Sequence, residues 1–503
     1  MTPNPETINI PTRPENLGAS DRQNSSWDIR NAPKNYVWLI ATQALLAIFS
    51  FASVWLVTRY LGAEGYGAVL ATIATSQFVQ IFVNWSIPSL SRFGIEEFVE
   101  TGKITRSFWA RGLIFFPNLI LVLIATYFWL DPVTIWLGLS GAAVFWISVH
   151  ILAFALWMHV QNALQAVKLL RRQGMFLASE RIITFFLLLA VILTNQISWQ
   201  SVLLCYIVPA ALMSTIGLIS IRSFVELDHF FDRVQFRKML TYSLPLIVFA
   251  AVAYLSSGQL DSIFIAKLLS KKDLGIYSIA AQINLVAFQI PMLANSILLS
   301  LFVTLLSARD LQTINAFFRH LVPSLTLAWG FFCHILALIA VLLIPIVFGE
   351  EFRSAGKPLW ILLAASSVSV PYLFGYASYS FAISATYIQS VGAAIAAAVN
   401  VSLDILLIPR FGIVGCALAT FFAFLSIAIT VVYLCKLKFD LPVSWTFQAV
   451  LPSFVGLIAM LYFDSPMLAF SLFSVAALVT AVIYRNSITQ SYSVIAKQIE
   501  HVN

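Results

Sequence analysis

The sequence predicts an all-α polytopic membrane protein of about fourteen transmembrane helices, arranged as two parallel-repeat six-helix lobes followed by two C-terminal helices. Three observations predict it. Of 503 residues, 60% are hydrophobic and only 10% charged, and the mean hydropathy is +0.89. Soluble domains carry about a quarter charged residues, so that class is excluded. Fourteen apolar runs each approach the roughly 20 residues needed to cross a hydrocarbon core about 30 Å thick. A stretch at the end of the first run also returns, in the same order, at the end of the seventh.

Residues 1–34 are polar, contain Pro, Asn and Ser, and lack an apolar signal-peptide region, which predicts a disordered cytoplasmic tail. The N-terminal lobe, 35–222, holds runs at 37–57, 67–87, 112–130, 136–158, 175–194 and 201–221. A cytoplasmic linker follows at 223–240. The C-terminal lobe, 241–438, holds runs at 243–266, 280–305, 321–347, 358–381, 389–408 and 415–435. The last two runs, 447–463 and 467–484, fill 439–484, and 485–503 forms a second cytoplasmic tail. Only short connections remain, with no room for a soluble catalytic domain. An even number of spans puts both termini on one side. With that side cytoplasmic, 22 of the 29 basic residues lie inside and 7 outside, the bias that fixes orientation in membranes. The net charge of +7 is thereby explained without a nucleic-acid partner.

The repeat aligns RYLGAEGYGAVLA at 59–71 with KLLSKKDLGIYSI at 267–279: Arg59 falls on Lys267, Leu61 on Leu269 and Gly67 on Gly275. Six spans separate the copies, so both run the same way through the membrane, the parallel repeat of several transporter folds.

Catalytic and cofactor motifs are missing. Neither a phosphate-binding Gly-rich loop nor a dinucleotide fingerprint appears, nor a serine elbow or zinc helix. Cys205, Cys333, Cys416 and Cys435 lie in apolar runs without metal or disulfide spacing and read as small fillers. The histidines, among them His150, His159 and His334, are scattered singly and read as satisfied structural residues. No cofactor, metal or enzymatic activity is expected.

Charge at membrane depth is the remaining signal, because it is costly and faces protein or a water-filled cavity. Asp261 and Asp404 interrupt the seventh and eleventh runs with no cation three or four positions away, and Asn400 shares a helix face with Asp404, as Ser257 does with Asp261. Each reads either as an interhelical hydrogen-bonding group or as an ion-coupling site. In the fifth run, Glu180 and Arg181 must enter the bilayer; adjacent residues point apart on a helix, so they are not expected to neutralise each other. Arg181 then either snorkels to headgroups or lines a cavity. Arg59 and Lys267, paired by the repeat, would snorkel or form an outer cationic gate.

Taken in order, TRYLG with Tyr66 and Gly67, PSLSRF from Pro88 to Phe93, Asp261 followed by LGIYSIA, PIVFGEEF at 345–352 and NVSLDILLIPRFGIVGCALAT at 400–420 resemble a known family. It is that of the polysaccharide or O-antigen flippases of the multidrug, oligosaccharidyl-lipid and polysaccharide exporter superfamily. The resemblance implies two lobes around a central cavity, alternating access, and translocation of a polyprenyl-diphosphate-linked oligosaccharide across the bacterial inner membrane. Membrane lipids, a polysaccharide polymerase and a chain-length regulator would be its partners. Arg59, Arg92, Arg181 and Lys267 are the cations nearest such a path. A drug or cation exporter of the same fold, or a polymerase, are the alternatives.

Overall fold

The computed structural model describes residues 32–139, 142–226, 230–244 and 259–491, and every regular element among them is helical. The N-terminal tail, Ser257 and most of the seventh span and C-terminal tail lie outside these residues. The first two spans form one continuous element, Ala32–Asn84, broken at Gly62, whose φ of +69° and extended ψ no helix accommodates. We call its parts α1 (32–61) and α2 (63–84). They are followed by α3 (Ile87–Thr101), α4 (Thr105–Trp129), α5 (Ala143–Ala166), α6 (Leu170–Leu193) and α7 (Trp199–Ile221). Next come α8 (Arg233–Ser243), within and beyond the linker, α9 (Gln259–Leu268), α10 (Lys271–Ser307), α11 (Val322–Val347), α12 (Gly356–Pro371) and α13 (Ala377–Ala382). The chain closes with α14 (Tyr387–Phe411), α15 (Ile413–Phe439), α16 (Leu451–Phe463) and α17 (Pro466–Ile483).

Eleven helices among the described residues are long and apolar enough to cross a membrane. The fourteen expected runs map onto them once three facts are added. The helix through Gly62 holds two runs, α9 is the described end of the seventh, and the thirteenth, α16, has only 13 residues. Several helices begin earlier than hydropathy predicts: α4 at Thr105 and α10 at Lys271, seven and nine residues ahead of their apolar runs. Capping explains the shift. Glu97 accepts from the N–H groups of Arg106 (2.9 Å) and Ser107 (2.7 Å), and the Ser270 hydroxyl accepts from Asp273 N–H (3.1 Å), so polar first turns are stable as helix. α3 is not foreseen from hydropathy at all; it is a short amphipathic helix ended by a left-handed Gly102.

The intramembrane prolines divide by position. Pro88 opens a helix, where a missing N–H costs nothing, whereas Pro323 follows the π-turn Phe317–Leu321 inside the continuous helix Leu311–Val347, and Pro371 leads into a π-turn, Tyr372–Tyr376, that separates α12 from α13. In the first half the α1–α2 element packs on α5 and α6, and α5 on α7; in the second, α12 is surrounded by α10, α11, α15 and α16. An 18-residue stretch of the span Glu350–Ala382 is 94% buried and forms the centre of its half, while Pro466–Ile483 is only 17% buried and lies at the rim.

Candidate functional site

The motif at 400–420 is a tight hairpin. Gly412, at a φ of +60°, turns the chain, and a Cβ on Gly415 would stand 2.3 Å from the carbonyl oxygen of Leu407. Only glycine lets α15 lie this close to α14, and the approach sets Asp404 opposite Cys416 and Thr420. α9 brings Asp261 to the same place. Asp261 Oδ2 accepts from the Tyr277 hydroxyl (2.9 Å) and from Thr420 Oγ1 (3.0 Å). One ligand atom each from Asp261, Asp404 and Cys416 lies within 4.8 Å of the others. Cys416 therefore borders two carboxylates and is more than the filler its spacing suggests.

All of these groups are buried, Asp404 completely. Asp261 Oδ1, both Asp404 oxygens and the Oδ1 of Asn400, one turn before Asp404, have no hydrogen-bond donor. Two carboxylates held this close in a dry interior cannot both stay ionised unless a cation joins them. Carboxylate and amide oxygens are the ligands hard cations take, and a carboxyl pair also holds a single proton. The residues present thus fit either a small hard cation or a shared proton.

A second feature joins the halves. A Cβ on Gly67 would fall 1.7 Å from the Lys271 carbonyl oxygen, and one on Gly275 2.0 Å from that of Ala63. Ala63 and Lys271 are themselves equivalent in the repeat, so each copy places its glycine against the other copy's matching carbonyl. The crossing of α2 and α10 is a reciprocal, backbone-to-backbone contact of small residues. The Gln282 side-chain amide donates to the Tyr66 hydroxyl beside it (2.5 Å). Around the Gly62 break, Trp55 Nε1 donates to Val347 O (2.9 Å) and Glu351 Oε1 accepts from Ala63 N–H (3.2 Å), capping α2 from the other half. At this end the two halves are in direct contact.

Arg59 and Lys267 both belong to that end. Arg59 is exposed and reaches toward Gly349 of the second half; Lys267 is half-buried at the end of α9. Arg92 is set apart from them, exposed on α3, 3.6 Å from Glu96 and 4.9 Å over the Tyr242 ring. Arg181 has 11 helical residues before it in α6 and 12 after, and its side chain is 34% exposed. Its guanidinium bends back to 4.0 Å from Glu180 Oε1, so the adjacent pair is in contact after all; the length of the arginine stem overcomes the divergence of the Cα–Cβ bonds. Glu180 is buried and also accepts from Trp157 Nε1 (3.1 Å).

Tyr277, Thr420 and Cys416 escape sequence reasoning because their polar role arises only where three helices meet. Of the histidines, His150 Nδ1 is satisfied by Ser76 Oγ (2.6 Å) and His334 Nδ1 by Gly330 O (2.8 Å). His159 is not satisfied in this way; its ring meets the guanidinium of Arg111.

Residues 32–307 match a family model described as "Polysaccharide biosynthesis protein". Among solved structures, the chain is similar to "Lipid II flippase MurJ, inward closed conformation", at 16% identity over 90% of this chain and 100% of that one, with a TM-score of 0.66. It is also similar to "Inward-facing conformation of a multidrug resistance MATE family transporter of the MOP superfamily", at 12% identity over 78% and 94%, with a TM-score of 0.53. At these identities the likeness is one of fold. No curated protein sequence matches the chain.

Proposed function

Because the chain belongs to the family of polysaccharide biosynthesis proteins, we propose that it is a flippase carrying polyprenyl-diphosphate-linked oligosaccharide from the inner to the outer leaflet of the bacterial inner membrane, for surface polysaccharide or O-antigen synthesis. The observation that carries this reading is the reciprocal crossing at Gly67 and Gly275. Two equivalent halves that close one end of a bundle by backbone contact can part there and close at the other, which is alternating access. A diphosphate on a greasy chain needs a cationic path beside lipid. Arg181 midway along α6 and Arg92 at one end supply cations along it, with Arg59 and Lys267 as the gate at the closed end. The Asp261–Asp404 pocket takes the coupling proton or cation, whose binding biases one arrangement over the other. Its complete burial suits a small ion and argues against a bulky organic cation as cargo.

Deletion of the gene tests the reading. Lipid-linked repeat units should accumulate on the inner face while surface polysaccharide is lost. Single unpolymerised units reaching the surface would instead favour a polymerase and end the flippase reading.

A further inference from the structure

Arg111 is fully buried in α4, six residues or about 9 Å beyond the helix start. Its Nη1 donates to His159 Nδ1 of α5. The guanidinium carbon stands 5.0 Å over the Phe115 ring, and the His159 ring stacks on the same phenyl, 5.1 Å between centroids and 8° from parallel. Arg111 takes part in none of the ion pairs among the described residues. Its Nε and Nη2, and His159 Nε2, are buried without a partner.

The signs of these orphan groups agree. A guanidinium keeps its charge at any physiological pH and has only donors. By filling the Nδ1 lone pair of His159 it leaves Nε2 of the neutral ring as the protonated nitrogen, again a donor. The pair thus presents donors and one positive charge, with no acceptor, in a dry site. A buried cation without a counter-charge is severely unfavourable, and planar forked donors match phosphoryl oxygens best. Among the three phenylalanines packed on His159, only Phe116 is well exposed (43%); its ring lies against the edge of His159 (6.2 Å) and over Gly112, on the side nearest the surface.

We propose that Arg111 and His159 form a site for a phosphoryl oxyanion borne on a lipid, with Phe116 as its cover. Naming the diphosphate head of the carried lipid as the occupant rests on the flippase reading.

The test uses the full chain in nanodiscs of zwitterionic lipid, titrated with polyprenyl diphosphate, with inorganic pyrophosphate as competitor. Wild type should bind the lipid saturably and be displaced by pyrophosphate. Arg111→Met should weaken binding about tenfold to a hundredfold, and Arg111→Lys, which keeps charge but loses the fork, by less. Without ligand, Arg111→Met should melt no lower than wild type, because it removes an uncompensated charge. Unchanged binding in Arg111→Met overturns the site. So does an Arg111→Met protein that fails to fold or melts markedly lower, since the guanidinium would then be structural. If nanodiscs containing phosphatidylglycerol raise the wild-type melting temperature as much as polyprenyl diphosphate does, the occupant is bulk phospholipid and the assignment to the diphosphate fails. These measurements need no transport, so a deletion strain that accumulates no lipid-linked units would refute the flippase reading and leave the oxyanion result standing.

Discussion

Replacing Asp404 or Asp261 by Asn keeps the shape of the side chain while removing its charge, which separates coupling from packing. Asn at 404 can still donate to Asp261 where a shared proton would, and Asn at 261 still has an oxygen for Tyr277 and Thr420. Both variants should be produced at wild-type levels, yet ion-driven transport in vesicles should fall about 5- to 150-fold, the usual range of a coupling free energy. Full transport with unchanged dependence on the ion gradient in both would remove these residues from coupling. The two carboxylates were legible in sequence because a lone acid in an apolar run must have a compensating environment. Their proximity was not, since α9 and α14 are far apart along the chain. Arg111 was hidden for a different reason: it stands one residue before the apolar run beginning at 112 and so looked like a loop-end cation, whereas Glu97 starts the helix at Thr105 and draws Arg111 inside.

At the scale of the element, the α2–α10 crossing depends on two hydrogen atoms where any other residue would carry a side chain. Gly67→Ala or Gly275→Ala should cost the closed arrangement about 1–3 kcal/mol by overpacking. A cysteine introduced at Gln282, beside the crossing, reports the shift: an impermeant thiol reagent should modify it faster in either alanine variant than in the parent. Equal rates would show that the crossing does not hold the end shut. The repeat predicted that Gly67 and Gly275 are equivalent, but equivalence in sequence says nothing about contact. Helix starts were misjudged for a related reason, since hydropathy sees the apolar interior of a helix and not the capped polar turn that begins it.

Over the whole molecule the order and number of spans followed from the hydropathy of the runs, because a chain this apolar has few soluble alternatives. The distribution of Lys and Arg predicts an orientation with both termini inside. A single cysteine at position 497 in an otherwise cysteine-free chain should resist an impermeant reagent added to intact cells and react after permeabilisation; labelling from outside would invert the topology. What composition could not supply is the local thickness of the protein. With the 3₁₀ turn that leads into it, α16 runs from Gln448 to Phe463 and is about 25 Å long, against a hydrocarbon layer of about 30 Å, and its neighbour α17 lies at the rim. A hydrophobic mismatch of a few ångströms should draw the surrounding acyl chains inward along one flank of the second half. A protein that thins its own patch of bilayer should work at a rate set partly by the length of the host membrane's fatty acids, so transport in vesicles of shorter-chain lipid should be faster than in longer-chain lipid; equal rates would show that the short helix imposes no such strain.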